Sequence, residues 1–109
     1  MLDQAVKLLR QSQNPDGGWG TIAGRQSNTE STSLGLLALR SLDDSRENSV
    51  LKKAEQWLVQ TQNSDGSWSY GAGAKAPSWS TALAVMALSD SSVEAERLVR
   101  AGNWILAQE

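Results

Sequence analysis

Apolar residues recur at helical spacing in three stretches of the chain, residues 2–12, 47–61 and 93–108. In each stretch they are separated by three or four positions, and charged or amide side chains lie between them. In the middle stretch the apolar face consists of Val50, Leu51, Ala54, Trp57 and Leu58. Because this spacing places the apolar side chains on one side of a helix, we predict three amphipathic helices that each keep one face in water.

Two further stretches, residues 31–39 and 80–88, are apolar or small at nearly every position. A helix of this composition is typically contacted by protein on most sides. We therefore predict two inner helices, with the amphipathic helices outside them. Ser31-Thr32 and Ser80-Thr81 stand at the front of these stretches, where a hydroxyl can accept a hydrogen bond from a free amide, and are the predicted N-caps.

A glycine-rich turn is predicted after each of the first two amphipathic helices. Asp16-Gly17 and Asp65-Gly66 are strong turn dipeptides, since Asp can close an Asx turn and Gly adopts positive φ without steric cost. A tryptophan follows each dipeptide, and we expect its ring to pack over the end of the preceding outer helix. Gln11 and Gln60 are the expected amide partners under the two rings.

The sequence is a tandem repeat. Residues 2–42 and 51–91 align without a gap at an interval of 49, and 16 of the 41 pairs are identical. Residues 93–109 begin a third copy that contains no Asp-Gly-x-Trp. A repeat of this length is one supersecondary unit copied so that each copy buries its apolar side against the next. We therefore predict a single repeat domain over 1–109, with repeats at 2–42 and 51–91 and a partial repeat at 93–109.

The composition excludes several classes of chemistry. The chain has no Cys and no His, which removes disulfides, thiolate catalysis, sulfur metal sites and the commonest general base. A net charge of −2 gives no basic surface for nucleic acid. The longest apolar run, residues 34–39, is far below the roughly 20 residues that a bilayer requires. The first residues lack the basic and apolar segments of a secretory signal, so we expect a cytoplasmic location.

The second repeat contains the pattern Lys53-Ala54-x-x-Trp57-Leu58-x-x-x-Gln62-x-x-x-Gly66-x-Trp68. It resembles a complete QW motif, the repeat signature of squalene-hopene and oxidosqualene cyclases, and the surrounding units are similar to the wider terpene cyclase and protein prenyltransferase family. The first repeat matches from Ala5 to Trp19, and the third matches over its first half, from Arg100 to Gln108. The matching positions are Gln13, Asp16, Gly17, Trp19, Lys53, Ala54, Trp57, Leu58, Gln62, Asp65, Gly66, Trp68, Arg100, Ala101 and Trp104.

The resemblance implies an all-α fold of helical hairpin repeats that form an arc of an alpha-alpha toroid. In such a toroid, inner helices surround a central cavity, outer helices lie behind them, and QW motifs connect the outer layer. A complete ring has about six hairpins, so two hairpins and part of a third would cover only an arc. Because both sides of an arc expose apolar surface, we expect self-association or docking on further repeats of a parent protein.

The catalytic groups of these families are absent from this sequence. Class II terpene cyclases use an Asp-x-Asp-Asp acid, which this chain lacks; the nearest string, Asp43-Asp44, is predicted to be a solvated helix end. Protein prenyltransferases bind zinc through Asp, Cys and His, and two of these residue types are absent. Asp16 and Asp65 supply one carboxylate per turn, too few for the roughly six to eight oxygens around calcium. We predict no catalytic residue, no metal site and no cofactor.

Three side chains are candidates for lining an apolar cavity, namely Tyr70, Trp79 and Met86. Trp79 has Glu30 as its counterpart in the first repeat, so the repeat itself does not explain it. Aromatic side chains near the mouth of a terpenoid cavity can stabilise carbocations, although packing is the more frequent role of such rings.

Three functional hypotheses follow. The chain is a non-catalytic QW-repeat segment of a cyclase-like toroid, a fragment or a small self-associating homologue. Alternatively, it is an oligomeric binding module whose copies enclose an apolar cavity for an isoprenoid or another lipid. In the third hypothesis it is a structural domain that uses its open sides to bind another protein.

Overall fold

The computed structural model describes residues 2–42, 49–71, 78–91 and 93–108, and these contain five α-helices and no β-strand. The helices are α1 (Leu2–Ser12), α2 (Thr29–Leu42), α3 (Ser49–Thr61), α4 (Ser78–Leu88) and α5 (Ala95–Ala107). The predicted fold class is confirmed: the fold is all-α, with two hairpins and a fifth helix of the kind found in an arc of an alpha-alpha toroid. Asp43-Asp44 lies outside the described residues, so its role stays a prediction.

The inner helices α2 and α4 lie side by side, and the outer helices lie behind them, as the apolar pattern predicts. The outer helix α3 packs against α2, and α5 packs against α4. Within the described residues, α3 makes little direct contact with α4, which is the inner helix of its own hairpin. Each of these outer helices therefore packs mainly on the inner helix that precedes it in the chain.

The core lies between the inner and outer layers. Its fully buried large side chains are Leu36, Leu39, Leu58, Trp68 and Leu88. Ala84 and Ala87 are also fully buried, and their small size lets α4 approach its neighbours closely. Burial of a leucine side chain contributes about 1.5–3 kcal/mol, so these residues account for much of the driving force for folding.

Arg40 connects three helices. It lies at the end of α2, where its Nη1 donates a hydrogen bond of 2.6 Å to the carbonyl oxygen of Ala87 in α4. Its Nη2 forms a 2.8 Å ion pair with Glu55 Oε2 in α3. The carbonyl of Ala87 belongs to the last turn of α4 and has no partner within a helix, so Arg40 satisfies an acceptor that would otherwise be unpaired.

The predicted N-caps are wrong. The inner helix α2 begins at Thr29, and Asn28 is its cap, because Asn28 Oδ1 accepts a 2.8 Å hydrogen bond from the amide of Ser31. The second inner helix begins at Ser78, which places Ser80-Thr81 inside the helix. The hydroxyl of Ser80 is buried and has no hydrogen-bond partner among the described residues.

No helix in the described ranges combines the length and the apolar content that crossing a bilayer requires.

Candidate functional site

The candidate site consists of two equivalent turns, the first turn (residues 13–19) and the second turn (residues 62–68). In the first, the amide of Asn14 donates to the carbonyl of Gly18 at 2.8 Å, and the amide of Gly17 donates to the carbonyl of Asn14 at 2.9 Å. The second turn repeats both bonds at the same distances between Asn63, Ser67 and Gly66. Both turn glycines have a φ of 98°, a conformation that favours glycine, so the two sequences form one structure.

The aspartates close Asx turns, as predicted. Asp16 Oδ1 accepts a 2.9 Å hydrogen bond from the amide of Gly18, and Asp65 Oδ1 accepts one of 3.0 Å from the amide of Ser67. The hydrogen bond from the Ser67 hydroxyl, followed by that from the Ser67 amide, lowers the pKa of Asp65 below its ordinary value of 3.8. The pKa falls because both bonds stabilise the charged carboxylate.

Each aspartate also accepts a hydrogen bond from a serine hydroxyl, but the two serines come from different places in the repeat. In the second turn the donor is Ser67, at 2.6 Å from Asp65 Oδ1. In the first turn glycine occupies that position, and Ser27 donates to Asp16 Oδ1 at 2.7 Å. A Cβ on Gly18 would lie 2.7 Å from both Cβ and Oγ of Ser27. Glycine is therefore required there because Ser27 occupies the space of the missing side chain.

The two tryptophans cap the C-termini of the preceding outer helices, as predicted. Trp19 Nε1 donates a 2.9 Å hydrogen bond to the carbonyl of Leu9, and Trp68 Nε1 donates one of 2.7 Å to the carbonyl of Leu58. Both carbonyls belong to the last four residues of their helices, where acceptors have no backbone amide partner within the helix. The hydroxyls of Ser12 and Thr61 add longer bonds of 3.2 Å and 3.3 Å to the same two carbonyls. The rings are almost fully removed from solvent, at 5% exposure for Trp19 and 0% for Trp68.

Threonines in the inner helices contact the tryptophan backbones. The amides of Trp19 and Trp68 each donate a 3.0 Å hydrogen bond, to Thr32 Oγ1 and Thr81 Oγ1 respectively. Thr32 and Thr81 therefore connect the turns to the inner helices and do not cap them. The expected role of Gln11 and Gln60 under the rings is also wrong, because both side chains are exposed to solvent.

The turn glutamines connect each turn to the outer helix that follows. Gln13 Nε2 donates to the carbonyl of Gly17 at 2.9 Å and to that of Val50 in α3 at 3.0 Å. Gln62 Nε2 makes the equivalent bonds, both 3.0 Å, to Gly66 and to Arg97 in α5. In each case the second acceptor lies in the first turn of the next outer helix.

The turn glycines lie directly on the backbone of the same outer helices. A Cβ on Gly66 would lie 2.7 Å from the carbonyl carbon and oxygen of Arg100. A Cβ on Gly17 would collide with the carbonyl of Lys53, which occupies the equivalent position in α3. Ala54 and Ala101, the next residues in the two helices, are fully buried, so close approach excludes larger side chains on both partners.

The tryptophans of the outer helices lie beside the turn aspartates. A hydrogen bond from Trp104 in α5 is a minor contribution to the lowered pKa of Asp65. Trp57, its counterpart in α3, shares with Asp16 the wall of a cavity of about 330 Å³. The cationic side chains of Lys53 and Arg100 are exposed, and the contact from Arg100 Nη1 to the carbonyl of Ser64 is long, at 3.5 Å. Their charges therefore add little stability.

Two of the three cavity candidates are in contact with each other. The rings of Tyr70 and Trp79 are in contact, with centroids 5.9 Å apart and an angle of 59° between their planes. Tyr70 is half-buried and lines a cavity of about 420 Å³ with polar neighbours, and neither Trp79 nor Met86 belongs to that lining. Trp79 is 47% exposed and Met86 is 57% exposed.

Residues 1–74 match the family model of the squalene-hopene cyclase C-terminal domain. The chain belongs to this family. A comparison with curated proteins gives no match. The membership supports the resemblance predicted from the QW pattern and agrees with the helical fold. Across its described residues, this squalene-hopene-cyclase-like segment has no cluster of three or more acidic, His or Cys side chains that could hold a metal ion.

Sequence reasoning missed several residues of the turns. Thr32 and Thr81 are identical at equivalent repeat positions, and this identity was a signal for a shared contact. The same signal was present for Asn14 and Asn63, whose backbones close the turns. The repeat comparison does not indicate Ser27, because in the second repeat the hydroxyl that bonds to the aspartate belongs to Ser67, at a different position of the repeat.

Proposed function

We propose that this chain is a structural, non-catalytic segment of a squalene-hopene-cyclase-like helical domain. Its turns fix the outer helices, and its two lateral sides dock on further repeats. The observation that carries this proposal is the unequal exposure of equivalent residues on the two inner helices. Each side of an inner helix is covered where the chain supplies a neighbouring repeat and open where it does not.

The open side of α2 is called the leading face. Its residues, and their counterparts in α4, are Ser31 and Ser80, Leu34 and Leu83, and Ala38 and Ala87. Leu34 is 50% exposed, whereas Leu83 is half-buried. Ala38 is half-buried, whereas Ala87 is fully buried. Since α2 packs against α4, the leading face is the surface on which another inner helix would pack.

The open side of α4 is called the trailing face and carries Met86 and Ser89. Met86 is 57% exposed, whereas its counterpart in α2, Leu37, is half-buried and packs on the core. Ser89 is exposed, whereas its counterpart Arg40 contacts α3 and α4. The trailing face therefore lacks the inner helix that α4 provides for α2.

A second copy of this chain fits the trailing face poorly, which favours further repeats as the partner. Suppose that α2 of a second copy packed on α4 in the way that α4 packs on α2. The α1 of that copy, which precedes its α2 in the chain, would then lie on the outer side of α4. That position is already occupied by α5. A second copy would therefore have to displace α5 to add its own α1 and α2.

The sequence supports the absence of catalysis. No Asp-x-Asp-Asp string, no Cys and no His occur in the chain. Asp65 accepts hydrogen bonds from its own turn, and Asp16 accepts them from its own turn and from Ser27, so both act as structural acceptors. An acid that protonates an alkene must keep its proton, whereas the bonds to Asp65 favour the charged form.

Solution mass and product analysis test the proposal. Light scattering after size-exclusion chromatography should give a mass that rises with concentration without a plateau. Squalene or oxidosqualene should be recovered unchanged. A discrete closed oligomer of this chain would contradict further repeats as the partner, and any cyclised product would contradict the non-catalytic assignment.

Charge substitutions on the open faces make the test specific. Leu34→Lys and Met86→Lys should lower the mass towards that of a monomer without lowering the denaturant midpoint. Leu83→Lys and Leu37→Lys are matched controls, because they put the same charge at equivalent but half-buried positions. These controls should lower the midpoint.

A second candidate is an oligomeric binding module that encloses an apolar cavity. The contact between Tyr70 and Trp79, which is half-exposed in the first turn of α4, favours it. A discrete closed oligomer in light scattering, with tryptophan fluorescence that changes saturably on addition of farnesol, would support this candidate over the first. Loss of that change in Trp79→Ala would locate the site.

A further inference from the structure

A cavity of about 330 Å³ lies between the two repeats, and the proposed function does not use it. One wall consists of Asp16 in the first turn and of residues in the segment 26–29 that follows it. The opposite wall comes from the second repeat, through the C-terminal half of α3 and residues 69–71. The cavity therefore lies where two successive repeats meet.

Hydrogen bonds fix the first of these walls in place. Asn14 Nδ2 donates to Ser27 Oγ at 2.9 Å, which holds the segment beside the first turn. The amide of Thr29 donates to the carbonyl of Tyr70 at 2.8 Å, and its hydroxyl donates to the carbonyl of Ser69. Ser27 and Thr29 are almost fully buried, at 5% and 2% exposure. A small ligand would therefore meet a preformed cavity and would not have to order its walls.

The hydroxyl groups that line the cavity are acceptors for a ligand. The hydroxyl hydrogens of Ser27, Thr29 and Thr61 are already donated within the protein, to a carboxylate or to backbone carbonyls. A hydroxyl has one hydrogen to donate and two lone pairs that accept. Each of these three oxygens can therefore accept a further hydrogen bond but cannot donate one to a ligand.

Asp16 and Asn63 add two more acceptors to the lining. Both hydrogen bonds to Asp16 end at Oδ1, so Oδ2 has no partner across the described residues. Asn63 donates twice from Nδ2, and its Oδ1 accepts no bond there. Gln26, Trp57 and Ser69 retain donors, but these are neutral. Since no described side chain in the lining is cationic, Asp16 gives the cavity a negative charge.

Trp57 adds an aromatic surface to the same cavity. It is half-buried in the second half of α3 and shares the cavity wall with Asp16. The face of an indole ring attracts organic cations more strongly than the other aromatic side chains do. An excess of acceptors, one carboxylate and an aromatic ring together suit a ligand that is cationic and donates hydrogen bonds. The volume is near the lower end of small-molecule sites, about 300–1,000 Å³.

We propose that this cavity binds a small alkylammonium ion, the protonated form of a primary amine. Its N–H groups donate to Asp16 Oδ2 and to the hydroxyl oxygens of the lining, and its alkyl chain lies against Trp57. The site is independent of the proposed function, because a structural segment can bind a ligand between its repeats. The bound ion connects the first turn to α3 and stabilises the folded chain.

Titration with butylammonium chloride, followed in amide and indole NMR spectra, tests the proposal. The amide of Gly18, which donates to Asp16, and the indole N–H of Trp57 should shift and reach saturation. Added sodium chloride should weaken binding, because salt screens the attraction to the carboxylate. The neutral polyol myo-inositol should cause no saturable shift. Shifts that rise linearly with butylammonium, or tighter binding of myo-inositol, would overturn the proposal.

A matched pair of aspartate variants locates the site. Asp16→Asn keeps an oxygen for the bonds from Gly18 and Ser27 but removes the charge. It should weaken butylammonium binding roughly tenfold, the effect of losing a hydrogen bond to a charged group. Asp65→Asn makes the same change in the second turn, away from this cavity, and should leave the affinity unchanged. Equal affinities in the two variants would overturn the proposal.

A matched pair of tryptophan variants tests the aromatic surface. Trp57→Leu introduces the residue that the first repeat has at this position, Leu8, and should weaken butylammonium binding roughly fivefold through loss of the cation–π contact. Trp104→Leu is the control, because Trp104 does not line the cavity. Equal affinities would exclude the ring from the site. Denaturant midpoints check that each variant folds, and if Trp57→Leu does not fold, the aspartate pair decides.

Discussion

At the scale of single residues, the two turns achieve the same hydrogen bonds with different residues. Asn14 donates to Ser27, and Ser27 donates to Asp16; in the second turn the order is Asn63, Ser67 and Asp65. The serine hydroxyl therefore has the same position beside the aspartate in both turns, although the two serines stand at different positions of the repeat. Its function in the turn depends on its position beside the carboxylate and not on its position in the chain.

Exchanging the serine between its two sequence positions tests this equivalence. Ser27→Ala should destabilise the protein by about 1–3 kcal/mol, because the Asp16 carboxylate loses a hydrogen bond. Gly18→Ser should also destabilise, because its side chain collides with Ser27. Combining Gly18→Ser with Ser27→Gly, which removes the Cβ of residue 27 as well as its hydroxyl, should recover most of the stability, since both clashing atoms of Ser27 are then gone. If the stability losses of the single changes at residues 18 and 27 simply add in the double variant, as measured by denaturant unfolding, the two serine hydroxyls do not occupy equivalent positions.

Trp68 should be among the most important residues for stability. Trp68→Ala removes a fully buried ring and the donor to the Leu58 carbonyl, and should cost about 3–5 kcal/mol in the free energy of unfolding. Trp79→Ala is the control, because that ring is 47% exposed. Similar midpoints for the two variants would show that the turn ring does not contribute through burial.

Asp65 should make stability depend on pH in the acid range. Its pKa is lowered in the folded state, so its contribution is complete above the ordinary value of 3.8 and is lost as the pH falls through the lower, folded value. Asp65→Asn should flatten the dependence of the unfolding free energy on pH in that range. A pH profile identical to that of the natural chain would contradict the assigned cause.

At the scale of elements, each turn acts on two outer helices. Its tryptophan caps the helix before it, and its glutamine and glycine contact the helix after it. The separation between glutamine and acceptor is 37 residues in the first case and 35 in the second, yet the contacts are the same. The inner helices between these contacts differ in length, 14 residues for α2 and 11 for α4, without changing how the outer helices are fixed.

Removing the turn glutamine should loosen the following helix selectively. Gln62→Ala deletes the bonds to Gly66 and Arg97, and should speed amide exchange in α5 more than in α3. Gln60→Ala is the control, because Gln60 is exposed and two residues away. Equal exchange in α5 for both variants would show that the bond to Arg97 adds no local stability.

The sequence predicted elements better than contacts. Helical spacing and composition predicted the inner and outer helices, because burial follows the apolar pattern. Ser31-Thr32 failed as a cap because Asn28, three residues earlier, provides a side-chain oxygen where the helix begins. Gln11 failed because it lies on the exposed side of α1, whereas Gln13 follows the helix end and faces the turn. Only the backbone path decides between two such neighbours.

At the scale of the whole molecule, the chain is an arc with two unlike edges. The leading edge consists of α1 and the leading face of α2, where Leu8 and Leu34 are exposed. The trailing edge presents α4 with its outer side covered by α5 and its trailing face open. Under the proposed function, the two edges accept different neighbours, so an added repeat would have a defined order and direction.

The direction of the turn contacts also bears on how the chain is made. Gln13 and Gly17 are synthesised before α3, and Gln62 and Gly66 before α5. During translation from the N-terminus, each of these outer helices leaves the ribosome after the turn that will receive it. The polypeptide can thus fold in the order of its synthesis, with each finished turn serving as the template for the next helix.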